Sequence, residues 1–424
     1  MREMKDSGVE WIGAIPADWS ISRIKYVAEF DPVCNKSAIN GSSLITYTPM
    51  DCIKHGWFIN NSAPLESLST SLTTYQEGDI VMAKVTPCFE NGNIAIMEGL
   101  HNGFGMGSSE LFVFRPKSID TKFFFYWLQN NAFVQKAKAT MTGTGGLKRV
   151  SPVFTRNCPI HIPPYKDQNR IALYLDGKLA QVNILIANVQ AQIEKLKAYK
   201  QSVITEVVTK GLDPTMPMKD SGVEWIREIP AHWEIKRGKA LFKESEARST
   251  DGSEELLTVS QYTGITPRSQ KNVTMFEALS LEGYKICEIG DIAANTMWLW
   301  AGAIGVSEYR GVISPSYNVY RQRGNDFIPR YLDHLLRAPM LVQEYASLST
   351  GIRSSRLRLY PKDFLNIMFP VPPIEEQQAI LDALSSKFSA VDRLIAIKQA
   401  KIEKLEQYKR SLIYEYVTGK KEVV

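Results

Sequence analysis

The sequence has few of the residues from which disulfides, metal sites and membrane anchors are built. Its 424 residues include five cysteines and five histidines. The cysteines are scattered, odd in number and never form a CxxC pair, so we expect reduced thiols instead of disulfides or a zinc site. No apolar run approaches a membrane span, and the first residues, MREMKDSGVEW, lack the apolar core of a signal peptide. We therefore expect a soluble, cytoplasmic protein with no membrane partner.

A strong charge of one sign is also missing. Fifty Lys and Arg residues face 45 Asp and Glu residues, and the net charge of +5 is too small by itself to indicate nucleic acid. The slight basic excess lies in residues 20–160 and 235–370. With 44% hydrophobic residues the chain can bury more than one core, so its length predicts two or three domains.

Proline and glycine are nearly missing from one long stretch, residues 167–208, which contains only Gly177. Its apolar residues recur in alternating steps of four and three, the pattern of a coiled-coil seam, and a second such stretch follows Pro372 and Pro373. The predicted helix-pair interface comprises Leu175, Leu179, Val182, Ile186, Val189, Ile193 and Leu196 in the first copy and Leu384, Phe388, Val391, Ile395, Ile402 and Leu405 in the second. Each helix is the other's expected partner, and an antiparallel pairing places Leu196 opposite Ile395.

The whole chain is a tandem repeat. Residues 5–25 read KDSGVEWIGAIPADWSISRIK and residues 219–239 read KDSGVEWIREIPAHWEIKRGK, and the long helices recur at nearly the same interval. We expect the N-terminal lead-in to dock near the end of the C-terminal helix. The predicted order is a lead-in (1–19), a globular segment (20–160), a long helix (161–212), a linker with the repeated lead-in (213–234), a second globular segment (235–370) and a second long helix (371–424).

Both globular segments mix short strands with helices, which predicts an α+β fold. In the first, strands are expected over 43–48, 78–84, 93–97 and 111–114, with a helix over 121–134. The second follows the same order with other side chains: 256–261, 290–292 and 303–306, then a helix over 329–341. A loop with glycine or serine and clustered cations ends each segment, at 142–149 and 350–358, and would suit contacts with phosphates.

Three stretches suggest enzymes only superficially. Ile162-Pro163-Pro164-Tyr165 is close to the (N/D)PPY motif of adenine-N6 methyltransferases, but it has isoleucine where the amide or carboxylate must accept hydrogen bonds from the base. We interpret its prolines as the start of a helix. The glycine string 103–107 precedes a predicted strand, unlike a cofactor loop, and we expect a turn. Asp79 with Lys84 lacks the further acid of a nuclease, so Asp79 is expected to cap a strand. The histidines show no ligand spacing.

The repeated motifs resemble one known family. Gly8-Val9-Glu10-Trp11-Ile12 with Ile15-Pro16 and Trp19, the copy that begins at Gly222, and the helix openings PPYKDQ and PPIEEQ together resemble the specificity (S) subunit of Type I restriction-modification enzymes. The resemblance covers essentially the whole chain. It implies two target recognition domains separated by an antiparallel two-helix coiled coil, related by a pseudo-twofold internal repeat. Such a subunit is not an enzyme.

The resemblance also implies partners. Each recognition domain would contact one half of an asymmetric, bipartite site in double-stranded DNA, and the helices would fix the unread spacer. Two methyltransferase (M) subunits carrying S-adenosylmethionine would dock on the helices, and restriction (R) subunits using ATP and Mg²⁺ would join for cleavage, so we expect no cofactor or metal in this chain. Candidate DNA-binding residues are Lys84, Asn91, Asn93, Gln261, Tyr262, Arg268 and Asn295 for bases, and Lys148, Arg149, Arg353, Arg356 and Arg358 for phosphates.

Two other functions stay open at this point. A fused adenine-N6 DNA methyltransferase would require a cofactor loop and an intact catalytic tetrapeptide. A coiled-coil scaffold that binds only proteins would require neither, and it would lack salt-sensitive DNA binding.

Overall fold

A computed structural model of the chain describes residues 2–34, 39–144, 146–271, 280–351 and 357–423. The chain divides into two compact units: Met1–Gln190 with Ala400–Val424, and Ala191–Gln399. Each unit has its own hydrophobic cores, and each combines small sheets, short helices and parts of two long helices. Within the described ranges, no helix is long and apolar enough to cross a membrane.

The first unit contains two four-stranded sheets and two smaller strand pairs. Its strands are β1 (Met4–Asp6), β2 (Ala14–Pro16), β3 (Ser20–Arg23), β4 (Ala28–Phe30), β5 (Leu44–Thr48), β6 (Asn61–Pro64), β7 (Thr73–Gln76), β8 (Ile80–Ala83), β9 (Ile94–Ile96), β10 (Phe104–Gly107), β11 (Leu111–Pro116) and β12 (Pro159–Ile162). The sheets have the orders β4-β11-β8-β9 and β6-β5-β10-β7, and the pairs are β1-β2 and β12-β3. All neighbours are antiparallel except β10 and β5, which are parallel.

Four short helices complete the first unit: α1 (Ile24–Val27), α2 (Thr121–Leu128), α3 (Asn131–Ala139) and α4 (Pro152–Asn157). The single helix predicted over 121–134 is wrong, because α2 ends at Leu128 and α3 begins at Asn131. Asn130 separates them as the N-cap of α3, where its side-chain oxygen accepts a hydrogen bond from the N–H of Phe133 at 3.0 Å. Phe123, Phe124 and Trp127 on α2 are fully buried against the first sheet.

The glycine string at 103–107 is a strand instead of the predicted turn. Residues 104–107 form β10 in the middle of the second sheet. Gly105 lies directly beside the buried ring of Tyr75, where a Cβ atom would come within 2.1 Å of the ring. Glycine is therefore required by close packing between strands and not by a tight turn. The Tyr75 hydroxyl and the Thr48 Oγ1 are joined by a hydrogen bond of 2.7 Å in the same layer.

The second unit repeats this plan with smaller sheets. Its strands are β13 (Met218–Asp220), β14 (Glu228–Pro230), β15 (Glu234–Arg237), β16 (Phe242–Ser245), β17 (Leu257–Ser260), β18 (Gly264–Pro267), β19 (Lys285–Cys287), β20 (Ile292–Ala294), β21 (Ile304–Val306), β22 (Gly311–Ile313), β23 (Asn318–Gln322) and β24 (Met368–Val371). The sheet β16-β23-β20-β21 matches β4-β11-β8-β9, and β15-β24 matches β3-β12. The second large sheet is reduced to the pairs β17-β18 and β19-β22.

The helices of the second unit are α6 (Gly238–Leu241), α7 (Pro329–Leu336), α8 (Pro339–Leu348) and α9 (Pro361–Phe364). The helix predicted over 329–341 is also wrong, since it is divided between α7 and α8. Pro339 begins α8, and the residue before a proline is disfavoured in helical conformation, so the chain breaks at Ala338.

Two long helices contribute to both units: α5 (Tyr165–Lys210) and α10 (Ile374–Val417). In the first unit the first half of α5 packs on the end of α10, as Tyr174 and Tyr416 show with ring centroids 4.6 Å apart. In the second unit the end of α5 packs on the first half of α10. The helices are therefore antiparallel, in agreement with the prediction.

The register between these helices follows the expected alignment. In the second unit the Lys200 Nζ lies 2.5 Å from the Asp392 Oδ1, and the Lys398 Nζ lies 2.5 Å from the Gln192 Oε1. These contacts lie on either side of the expected Leu196–Ile395 pair. Seven of the predicted interface residues are buried: Leu175, Leu179, Val182, Val189, Ile193, Leu384 and Phe388. Ile186, Leu196, Val391, Ile395, Ile402 and Leu405 are half-buried.

The N-terminal lead-in docks on the end of α10, as predicted. Ile12, Ile15 and Trp19 share the core of the first unit with Val417, and the Lys420 Nζ donates to the Ala14 carbonyl at 2.5 Å. In the second unit the repeated lead-in packs on the end of α5 in the same way, with Trp233 in one core with Val203, Val207 and Val208. The repeated sequence therefore has a repeated structural role.

Candidate nucleic-acid interface

Two loops of the first unit form one surface. The Lys84 loop (residues 84–93) joins β8 to β9, and the basic hairpin (residues 142–149) follows α3. Thr142 and Arg149 close the hairpin through two backbone hydrogen bonds of 3.1 and 2.8 Å. Lys148 and Arg149, the cations predicted to contact phosphates, therefore lie on a hairpin that packs beside the Lys84 loop.

Several hydrogen bonds join the two loops across more than fifty residues of sequence. The N–H of Thr86 donates to the Lys148 carbonyl at 2.9 Å, and the N–H of Lys148 donates to the Thr86 Oγ1 at 2.9 Å. The Thr86 hydroxyl in turn donates to the Gly146 carbonyl at 2.8 Å, and the N–H of Val150 donates to the Lys84 carbonyl at 2.9 Å. This network brings Lys84, Lys148 and Arg149 together, which the sequence alone did not show.

The cations of this surface are held differently. Lys148 is exposed, whereas the Arg149 guanidinium makes a bidentate contact with Glu110 at 2.8 and 2.7 Å. This contact lowers the pKa of the Glu110 carboxyl, with the Arg149 hydrogen bond as the main cause. The Lys84 Nζ lies 5.4 Å from the centre of the Phe112 ring. Lys148 is thus the most accessible of the three cations for an anion. To bind a phosphate, Arg149 must first release the Glu110 carboxylate.

Asn91 and Asn93 lie on the Lys84 loop, the first exposed and the second half-buried. Their backbone N–H groups donate to the carbonyls of Pro87 and Cys88 at 3.0 and 3.1 Å, so the loop is internally braced. Amide side chains on a braced loop are suited to bidentate recognition of base edges.

A buried carboxylate pairs with an arginine just before β8, the strand that leads into the Lys84 loop. The same pairing occurs just before β20, the corresponding strand of the second unit. Asp79, which is 1% exposed, accepts hydrogen bonds from the Arg115 guanidinium at 2.8 Å and from the N–H of Gln76 at 2.7 Å. In the second unit Asp291 accepts from Arg321 at 2.7 and 2.6 Å. The contact with the N–H of Gln76 is the backbone capping expected for Asp79, and the arginine pair adds a tie between neighbouring strands of the sheet.

The second unit has the equivalent two loops. Residues 295–303 join β20 to β21, and Thr350 and Arg358, at the two ends of the second basic segment, are joined by two backbone hydrogen bonds of 3.0 Å. Arg358 is exposed, while Arg353 and Arg356 lie outside the described residues. Asn295 is only 5% exposed. Its Nδ2 donates to the Tyr317 hydroxyl at 2.9 Å and its Oδ1 accepts from the N–H of Met297 at 3.2 Å, so this amide orders the loop from inside.

The remaining candidates lie near the β17–β18 turn. Tyr262 is 81% exposed, and Gln261 and Arg268 are half-buried. Arg337 donates through Nη2 to the carbonyls of Tyr262 and Gln261 at 2.8 and 3.3 Å, which ties the turn to the end of α7. The turn thus presents a phenol ring to solvent on a fixed backbone.

Sequence reasoning missed an aromatic pair on the loop 295–303. Trp298 is 51% exposed and its ring stacks on that of Trp300, with centroids 5.7 Å apart and planes 26° apart. Met297 beside it is 38% exposed. The available signal was the position of both tryptophans on the segment that corresponds to the Lys84 loop of the first unit.

Side chains that could bind a metal ion are dispersed in the described ranges. No cluster there of three or more His, Cys, Asp or Glu residues could hold a metal ion. Ile162 ends β12 and Tyr165 begins α5, so the prolines between them start a helix as predicted. Burial raises the pKa of the Cys158 and Cys287 thiols to about 12, which disfavours the reactive thiolate.

Comparison with known proteins identifies the family. The model of the Type I restriction modification DNA specificity domain matches twice, at residues 16–195 and 230–407. The EcoAI specificity subunit of a Type I restriction enzyme from Escherichia coli is 30% identical over 226 residues, which are 52% of this chain and 37% of that protein. The MjaVIII specificity subunit from Methanocaldococcus jannaschii is 26% identical over 324 residues, which are 72% of this chain and 71% of that one. This chain thus covers little more than a third of the EcoAI subunit.

A solved structure shares the fold. A chain from a study of complex assembly and conformational transition of the type I R-M system superposes with a TM-score of 0.64 at 16% identity, covering 95% of this chain and 98% of that one. The two matches of the family model span most of each half of the repeat. The chain therefore belongs to the family of Type I restriction-modification specificity subunits, with two target recognition domains.

Proposed function

We propose that each recognition domain contacts one half of an asymmetric, bipartite sequence in double-stranded DNA. The observation that carries this proposal is the hydrogen-bonded surface of the first domain, where the Thr86–Lys148 contacts unite the Lys84 loop with the basic hairpin. Such a surface offers cations for phosphates beside asparagines for base edges. In the second domain Thr350 and Arg358 are joined by two backbone hydrogen bonds in the same way as Thr142 and Arg149 in the first.

The long helices serve as the spacer of this device. They are 46 and 44 residues long and pair in a register fixed by polar contacts such as Lys200 with Asp392. A polar residue at a seam position specifies register at some cost in stability. A fixed register means a fixed separation between half-sites, which a flexible linker cannot provide.

The outer faces of these helices dock two methyltransferase subunits. Leu185 and Leu394, equivalent in the repeat, are 48% and 47% exposed, and the equivalent Tyr199 and Tyr408 are 48% and 50% exposed. Exposed apolar side chains at repeated positions supply two copies of one contact surface. The docked subunits carry S-adenosylmethionine, and restriction subunits that use ATP and Mg²⁺ join them. This chain supplies the sequence specificity.

Deleting the gene tests this proposal. Single-molecule sequencing should show that one bipartite adenine-methylation motif disappears from the host genome when the chain is deleted and returns when it is restored. An unchanged methylome, in a strain that expresses the methyltransferase subunit, would contradict it.

A binding measurement tests the surface itself. With the assembled methyltransferase complex, Lys148→Glu should weaken DNA binding at all sequences and change the slope of log K against log salt by about one or two phosphate contacts. Lys166→Glu, an equal charge change at an exposed position at the start of α5, is the control. Equal effects of both variants would mean that the basic hairpin does not contact phosphates.

A further inference from the structure

The second recognition domain exposes a pair of stacked indole rings. Trp298 is 51% exposed, and its neighbour Met297 is 38% exposed. The ring of Trp300, which is half-buried, lies behind Trp298 with centroids 5.7 Å apart. Large aromatic surface is usually buried on folding, so an exposed pair of this kind marks a contact surface.

The loop that carries these rings is firmly anchored. Leu299 is fully buried at the start of a short 3-10 turn, Leu299–Ala301. The Trp300 Nε1 donates to the Met297 carbonyl at 3.0 Å, and the Asn295 amide binds the N–H of Met297. Gly302 ends the turn with a φ of +86° and packs against Val342 of α8. The exposed ring is therefore held in place before any ligand arrives.

The position of the loop indicates what the ring contacts. Residues 295–303 join β20 to β21, as the Lys84 loop joins β8 to β9 in the first domain. The first loop presents Lys84 and Asn91 to a ligand, whereas the second presents a thioether and an indole. The second loop lacks hydrogen-bonding groups of that kind at its tip, but a planar indole can stack on any base, and apolar side chains can enter a base step and unstack it.

We propose that Trp298, with Met297, acts as a wedge that inserts at one base step of the half-site contacted by the second domain and unstacks it. Trp300 supports the inserted ring from behind. The free-energy cost of unstacking depends on which two base pairs form the step. The wedge therefore adds a sequence preference at that step through the deformability of the DNA. This inference rests on the proposed function, because it requires that the second domain binds duplex DNA.

The experiment uses the assembled methyltransferase complex and duplexes that contain the motif found by methylome sequencing. 2-Aminopurine, which fluoresces when it is unstacked, replaces one base at a time across both half-sites, and fluorescence anisotropy reports binding in parallel. The variants are Trp298→Ala and Trp298→Phe, with Trp57→Ala as the control, since Trp57 is 56% exposed on the first domain.

The methyltransferase subunits flip the target adenines out of the duplex, so 2-aminopurine brightens at those positions in every variant. Apart from these positions, we expect a several-fold rise in fluorescence on binding at one step, in the half-site contacted by the second domain. Trp298→Ala should abolish the rise and raise Kd roughly 5- to 100-fold, whereas Trp298→Phe should keep part of both effects and Trp57→Ala should leave the rise unchanged. Binding without a rise at any position other than the target adenines, or a rise at such a position that survives Trp298→Ala, would overturn the wedge while leaving the proposed function intact. A wild-type complex that binds no DNA would overturn both.

Discussion

Thr86 and Lys148 are joined by two hydrogen bonds of 2.9 Å, one from each backbone N–H, although 62 residues separate them in the chain. The Thr86 hydroxyl accepts one of these bonds and donates a third to Gly146. The Thr86 side chain therefore adds two hydrogen bonds to the backbone contacts between the Lys84 loop and the basic hairpin, and it helps to hold the cations of the first domain in their relative positions.

Removing this hydroxyl should loosen the surface without unfolding the domain. Thr86→Val keeps the shape of the side chain but loses both of its hydrogen bonds, so we expect DNA affinity of the assembled complex to fall roughly 3- to 10-fold. Thr86→Ser retains the hydroxyl and should bind nearly as the wild type does. Binding titrations at one fixed salt concentration compare them. Equal loss in both variants would show that the methyl group matters and not the hydrogen bonds.

Removing Asp79 and removing Arg115 should lower the free energy of unfolding by different amounts, because only Arg115 is partly exposed. Arg115→Met leaves a carboxylate that is 1% exposed without its cation, and the free energy of unfolding of the first unit should fall by about 3–5 kcal/mol. Asp79→Asn leaves an arginine side chain that is 27% exposed and can turn towards water, so it should cost less, about 1–2 kcal/mol. Urea denaturation measures both, and the reverse order of the two costs would refute this account of the pair.

Substitution by alanine should have opposite effects at Gly105 on β10 and at Gly177 on α5. Gly105→Ala places a methyl group within 2.1 Å of the Tyr75 ring and should destabilise the first unit by about 3 kcal/mol. Gly177→Ala, on α5, meets nothing within 4 Å and should stabilise by about 0.5–1 kcal/mol. Thermal unfolding compares the variants. A harmless Gly105→Ala would mean that Tyr75 can move away at little cost.

The burial of His161 should make the folded state less stable at acidic pH. Its ring stacks on Trp19, and burial lowers its pKa to about 4 from an unfolded value of about 6.5. As the pH falls below 6.5 the unfolded chain gains the proton first, so stability is lost between pH 6.5 and 4 and levels off below that range. The loss is on the order of 3 kcal/mol. His161→Gln should remove this component of the pH dependence, whatever its stability at neutral pH. Parallel curves for variant and wild type would exclude His161 as the cause.

Periodic and repeated features were predictable from the sequence. The heptad seam identified both long helices, with Leu175 and Leu384 buried in it as expected. The repeated Trp-bearing lead-in predicted its own docking, since Trp19 and Trp233 are both buried against the ends of the helices. These signals are strong because apolar residues that bury a helix face recur many times along the chain.

Contacts between distant residues were not predictable. No sequence pattern indicates that Arg149 pairs with Glu110 or that Thr86 binds the hairpin, because such contacts depend on how strands are ordered in the sheet. The helix break at Asn130 was missed because a run of apolar residues concealed an N-cap. The strand at Gly105 was missed because glycine for close packing looks the same in sequence as glycine for a turn.

We propose that the long helices set the spacing between the two half-sites. Both helices pass from one compact unit to the other, α5 between Gln190 and Ala191 and α10 between Gln399 and Ala400. Inserting one heptad into each helix at these points preserves the seam and lengthens the pair by about 10 Å, at most about three base pairs of DNA. Methylome sequencing of cells expressing this variant should show both half-sites unchanged and a longer unread spacer between them. Altered half-sites with the original spacer would contradict the account.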